Sequence, residues 1–346
     1  MMKNYGLLSF VMTGMLLLFF SCQQQSSTNQ DNQSGEKVQD SLQKISSMIR
    51  QDSSNALLYY QRAGIYIQER KINDAFRDIK HAILLQPEDA RFYIALSDIY
   101  LMQGKIASCE ESLEKAVKLD PGSEEAFLKL AELNLILKDY DNTFEHLKRA
   151  IDIEPLNPMA YFISGYAFLE LEDTSRAIEN FSIAVDQNQN YYDAYMSLGN
   201  IYAARKHKLA IDYYNNALNI SPQSAEAYYN LALFYQNAEQ IQEAIDTYDK
   251  LLKIEPSNQY ALYNLGFISL VYLKEFEKAV HHFTQAINID QEYFDAYFNR
   301  GYAQELLGNY NEARWDYQKA LELETNYPKA IDGLNRLDEI QFQLSE

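Results

Sequence analysis

Cysteine, tryptophan and positive charge are all scarce in this chain of 346 residues, which has two cysteines, one tryptophan and only 30 lysines and arginines against 49 aspartates and glutamates. Each shortage excludes something. Cys22 closes an apolar leader, so Cys109 stands alone in the rest of the chain and no disulfide can form within one mature chain. Cys109 occupies a position where small residues recur, which marks it for packing rather than reactivity. The deficit of cations argues against nucleic acid, whose phosphates require lysine and arginine, and against direct docking on anionic lipid heads. Removing residues 1–21 takes away one lysine and no acid, leaving 29 basic and 49 acidic side chains and a formal charge of −20. That excess reads first as solubility, with a basic partner as the other reading. The five histidines, His81, His146, His207, His281 and His282, are dispersed. His281 and His282 sit about 100° apart on a helix instead of converging as i, i+4 ligands would. No glycine-rich phosphate loop and no Gly-x-Ser-x-Gly elbow is present. The reading is that the chain is not an enzyme, with no metal and no cofactor.

What the chain does have is self-similarity. Shifted by about 34 residues, it matches itself repeatedly. Eight units succeed one another at 56–89, 90–123, 124–157, 158–191, 192–224, 225–258, 259–293 and 294–327. In 225–258, Tyr228, Leu231, Ala232 and Tyr235 take i, i+3, i+4, i+7 spacing, then Ala244, Tyr248 and Leu251 mark a second helix that stops at Pro256. The eighth position is always small: Ala63, Ser97, Ala131, Gly165, Gly199, Ala232, Gly266 and Gly301. Large residues such as Tyr93, Tyr161 and Tyr228 at the fourth position are expected to fill these holes. Unit 192–224 is one residue short and 259–293 one long, both assigned to the turn between the two helices.

This spacing, with YMSLGNIY at 195–202 and YNLGFISL at 263–270, closely resembles the tetratricopeptide repeat. The resemblance spans all eight units. It implies an all-α, right-handed α-solenoid of about eight helix-turn-helix units, residues 56–327, between an N-terminal capping helix at 36–55 and a C-terminal one at 328–346. Val38, Leu42, Ile45 and Ile49 give the first cap an apolar face, and Ala330, Ile331, Leu334 and Leu337 the second, with Asp332, Arg336 and Glu339 toward water. Asn55, Asp89, Ser123, Asn157, Ser224 and Asn258 are placed to cap following helices, and Gly104 and Gly308 to turn between them.

Residues 1–21 differ in kind. Lys3 precedes an apolar run from Leu7 to Phe20 that ends at Ser21-Cys22, the pattern of a secretory signal. LLLFFSC resembles a bacterial lipoprotein signal, which would make Cys22 the lipidated first residue. Residues 22–35, rich in Gln, Ser and Asn, read as a flexible tether. The implied location is the outer membrane of a gram-negative envelope, facing the periplasm, with the membrane reached by the lipid anchor only.

In the resembled family, outward residues of each first helix line a concave groove. Here the fifth positions are apolar throughout and include Tyr60, Phe162, Tyr229, Tyr263 and Phe298. The sixth add Asn230, Asn264 and Asn299, resembling an asparagine ladder that holds peptide backbone. A carboxylate clamp is not expected, because Arg62, Arg91, Lys129 and Arg300 are scattered. The leading expectation is a scaffold binding a protein or peptide partner in that groove. The alternatives are a glycan- or nutrient-uptake surface lipoprotein and a regulatory subunit of an envelope enzyme complex.

Overall fold

The computed structural model describes residues 31–345, and all regular structure among them is helical. The expected signal, Cys22 and most of the expected tether lie outside the described residues. The first helix, α1 (Asp31–Gln51), starts inside the stretch assigned to the tether. A shortage of apolar side chains denies a segment a place in a core, but a docked helix can still propagate backward through it.

The described residues divide into two compact units, one up to residue 137 and one from 138 on, with the boundary in the turn inside the third repeat. In the first, α1 is followed by α2 (Ala56–Gln68), α3 (Ile72–Leu85), α4 (Ala90–Met102), α5 (Ile106–Leu119) and α6 (Glu124–Ile136). Ile49 of α1 is buried and Ile45 packs with it against Ala56, Leu58, Tyr59 and Phe92, as a half-repeat should. In the second unit come α7 (Tyr140–Ile153), α8 (Pro158–Glu170), α9 (Thr174–Gln187), α10 (Tyr192–Ala204), α11 (Leu209–Ile220) and α12 (Ala225–Asn237). They continue as α13 (Ile241–Ile254), α14 (Gln259–Ile268), α15 (Phe276–Ile289), α16 (Phe294–Leu306), α17 (Tyr310–Leu323) and α18 (Pro328–Ser345). Within each unit, consecutive helices pack on one another.

Local chemistry sets the helix ends. Asn55, Asp89, Ser123, Asn157, Ser224 and Asn258 each accept a backbone N–H from the first turn of the next helix. Between the paired helices one residue is always left-handed: Gly104 and Gly308, but also Arg70, Lys138, Glu172, Lys206, Glu239 and Lys274. The sequence pointed only to the glycines; the turn imposes the same geometry on every unit.

The two length variants are absorbed inside helices. In 259–293 the extra residue widens the end of α14 into a π turn, Ser269–Leu273, before left-handed Lys274. In 192–224 the missing residue shortens α11 to 12 residues, where α13 has 14.

The small eighth positions are holes, but their occupants are not the fourth-position rings. A Cβ on Gly165 would stand 2.6 Å from the Phe181 ring, one on Gly199 2.6 Å from Tyr214, and one on Gly266 2.8 Å from Phe283. Those rings come from the second helix and are completely or almost completely buried. The fourth-position tyrosines lie to the side, where Tyr93 and Tyr161 donate their hydroxyls to the carbonyls of Pro87 and Pro155 at 2.9 Å. Cys109, 2 % exposed, fills its hole as expected, and burial pushes its thiol up to about 11.

Candidate interaction face

The expected groove residues divide by environment. At the fifth position Ile94, Leu128, Phe162 and Met196 are buried and serve the core. Tyr60, Tyr229, Tyr263 and Phe298 stay half-exposed. Tyr60 packs on Phe92, with ring centroids 5.5 Å apart. Tyr229 contacts Tyr248 and Tyr260 edge-on, while Tyr263 stacks on Tyr293 at 4.9 Å. Tyr260, 53 % exposed, also meets Tyr293, so Tyr229, Tyr260, Tyr263 and Tyr293 form one continuous aromatic line.

The asparagines are not a free ladder. Asn264 donates to the Tyr229 hydroxyl at 3.5 Å and Asn299 to that of Tyr263 at 2.8 Å, and both are buried. Asn230 is half-exposed and donates to Asn200 Oδ1 at 3.2 Å. A fifth-position ring reaches forward to the sixth-position amide of the next repeat, so two of the three amides tie repeats together. Burying these amides requires such partners.

Three aromatic residues escaped the sequence reading. Tyr191 and Tyr293 stand where other repeats place a polar cap, and neither makes a capping bond. Tyr191 packs on Phe162 at 4.8 Å and Tyr293 on Tyr263. Tyr327, just before α18, packs on Phe298 at 5.5 Å and donates its hydroxyl to Asp295 at 2.6 Å. Each ends a unit with an aromatic fifth position. Loss of a polar cap after such a unit was the available signal: a cap worth about 1 kcal/mol is exchanged for a ring pair worth about 0.5–1.5.

The scattered cations are all committed. Arg62 forks onto Asp78 at 2.6 and 2.7 Å and also donates to Ser46. Arg300 does the same with Asp316 and Thr284. Arg91 pairs with Asp89 and Lys129 with Asp98. A carboxylate clamp therefore has no free cation among these four. Beside Lys129, burial pushes the Glu132 carboxyl up to about 7. In the C-terminal cap Ala330 and Leu337 are buried, whereas Ile331 is 39 % exposed, and Arg336, its side chain still 42% exposed, donates to Glu305 at 2.8 Å. Among the described residues, no group of three or more His, Cys, Asp or Glu side chains could hold a metal ion, and no helix is long and apolar enough to cross a membrane.

Known families agree with this geometry. Models described as tetratricopeptide repeat match residues 90–123, 162–225, 202–265 and 294–327, and one described as TPR repeat matches 269–308. Together they cover more than half of the chain. The chain belongs to the tetratricopeptide repeat family. Among solved structures it is similar to the C-terminal part of a TPR repeat-containing protein from Cytophaga hutchinsonii, with 17% identity over 70% of this chain and 99% of that one and a TM-score of 0.61. It is also similar to pilF of Pseudomonas aeruginosa, with 18% identity over 59% of this chain and 93% of that one and a TM-score of 0.52. At such identities the likeness is one of fold. No curated protein matches the sequence. Tetratricopeptide repeats are protein-interaction scaffolds, typically without catalytic activity, and their partners are proteins or peptides.

Proposed function

We propose that this tetratricopeptide repeat protein is a lipid-anchored scaffold of a gram-negative envelope, facing the periplasm. In this reading it holds a protein partner by an extended segment laid along the first-helix faces of its second unit. The observation that carries the binding reading is the line of half-exposed tyrosines, Tyr229, Tyr260 and Tyr263, on consecutive first helices. Tyrosine offers a large apolar face with a polar tip and few rotamers to freeze, so it suits a contact surface. The anchor rests on Lys3, the apolar run from Leu7 to Phe20 and Ser21-Cys22. A glycan site built on long insertions finds little support, since the helix pairs from 56 to 327 are joined by short turns.

Site-specific photocrosslinking in intact cells tests the binding reading. A photoreactive residue at Tyr260 should capture a discrete polypeptide, whereas one at the exposed second-helix residue Trp315 should not. Equal capture at both positions, or none at Tyr260, would remove the face from consideration. For the anchor, Cys22→Ser should release a folded soluble chain; a wild-type protein that carries no lipid would refute it.

A further inference from the structure

The aromatic line is bordered by acids at a fixed phase. The second position of four successive first helices is Asp193, Glu226, Tyr260 and Asp295. Among the described residues the ion pairs of the second unit lie elsewhere, and none holds Asp193, Glu226 or Asp295. Burial pushes the Asp193 carboxyl up, and burial followed by the Asp193 charge pushes Glu226 up. Asp193 and Glu226 thus share one position on adjacent repeats, the first half-buried and the second exposed, and neither carboxylate is held in an ion pair by a cation of the chain. The field of the bordering acids reaches the line at Tyr263, where Asp295 adds to the rise that burial causes. Where a lysine meets this face from within the chain, it sits on the rings. Lys329 Nζ is 5.8 Å from the ring centroids of both Phe298 and Tyr327.

We propose that the face formed by Asp193, Glu226, Tyr229, Tyr260, Tyr263 and Asp295 takes an extended, lysine- or arginine-bearing segment of a partner protein. The assignment rests on the proposed scaffold role and specifies its occupant. Charge complementarity selects that occupant. A cation would neutralise the paired carboxylates while its methylene stem covered the tyrosines. An acidic segment would add charge to a site already short of compensation.

The test uses the purified full-length chain and fluorescent Gly/Ser peptides carrying lysine, serine or glutamate at alternate positions. The lysine peptide should bind at least about 10-fold more tightly than the serine one, lose affinity as salt is added, and outcompete the glutamate peptide. Asp193→Asn with Glu226→Gln should weaken it by about 10-fold, and Tyr260→Ala by about 3-fold. Glu243→Gln with Glu277→Gln removes the same charge from exposed second-helix positions and should change little. Both carboxamide pairs are near-isosteric, and circular dichroism melts confirm that each variant is folded. Serine and lysine peptides binding equally would overturn the proposal, as would equal losses from the two double variants, which would mean diffuse attraction to an acidic protein. If Tyr260 still captures a partner in cells while lysine peptides bind no better than serine ones, the cationic occupant alone falls. If nothing is captured and no peptide binds, the scaffold reading of this face falls with it.

Discussion

The two units build the same helix pair from different materials. In the first, the eighth positions are Ala63 and Ser97, and the buried second-helix residues are Ile79 and Leu113. In the second, Gly165, Gly199, Gly266 and Gly301 replace the Cβ-bearing residues at four of five eighth positions, Ala232 being the exception, and the rings of Phe181, Tyr214, Tyr248, Phe283 and Tyr317 replace the aliphatics in those five repeats. Losing a Cβ makes room for a ring. The hydroxyls then demand partners: Tyr214 donates to Asn200, Tyr248 to Gln236 and Tyr317 to Glu305, all on the preceding first helix. Across the repeats the contrast persists. The first unit joins them with an ion pair, Lys129 to Asp98 at 2.6 Å. The second uses amide-to-phenol bonds and stacked tyrosines, and it carries the long half-exposed aromatic line. A single backbone plan therefore supports an aliphatic unit and an aromatic, amide-bearing one, and the proposed binding face falls in the latter.

The largest test concerns what both units share. Arg62 with Asp78 and Arg300 with Asp316 occupy equivalent positions in the first and last repeats. Arg300→Met should cost about 3–5 kcal/mol in thermal or denaturant unfolding, because it leaves a buried carboxylate uncompensated. Burial already pushes Asp316 up, with Arg300 opposing it. Without Arg300 the folded state favours protonation further, so the loss should be largest at neutral pH and shrink as the solution is acidified. Arg62→Met should be milder, since Asp78 is 9% exposed against 3% for Asp316.

Next in size is the glycine-for-ring exchange. Gly199→Ala should destabilise by about 1–3 kcal/mol, since the new methyl collides with Tyr214. Combining it with Tyr214→Leu, which recreates the pairing of the first unit, should recover part of the loss in a double-mutant cycle. An additive cycle would show that the two residues are not coupled.

Asn299→Ala comes third, at about 0.5–1.5 kcal/mol for the lost bond to Tyr263. Asn230→Ala, half-exposed and bonded at 3.2 Å, should cost less. The same measurement run on both would separate a stitch between repeats from a surface amide.

A pH-dependent effect comes last, from Glu132, a strongly perturbed acid of the first unit. Glu132 is held up to about 7 against an ordinary value of 4.5. A carboxyl raised by folding favours the protonated native state, so its contribution is lost as pH climbs from about 4.5 to about 7. Glu132→Gln should flatten the stability profile across that window, and an unchanged profile would show that the carboxyl ionises normally.

Much of this was legible in the sequence, for identifiable reasons. A period of repeats and small residues at one phase report backbone approach, and the six polar caps report helix starts, because each depends on residue type alone. What the small residues face was not legible, since Tyr161 and Phe181 are both rings in helical phase and only packing distinguishes them. Asn264 and Asn299 read as surface amides because their partners lie in the preceding repeat, outside any local pattern. The π turn was hidden because an inserted residue in a helix leaves the same length signature as one in a turn. Tyr191 and Tyr293 were visible as missing caps, but their stacking depends on a ring about 30 residues earlier, at the fifth position of the same unit.

Hydrogen exchange of the full-length chain, alone and with the polypeptide captured at Tyr260, addresses the contrast between the units most directly. If the second unit carries the binding face, added protection should concentrate in α10, α12, α14 and α16, leaving α4 and α6 of the first unit unchanged. Protection confined to the second helices α13 and α15, or spread equally through both units, would contradict it.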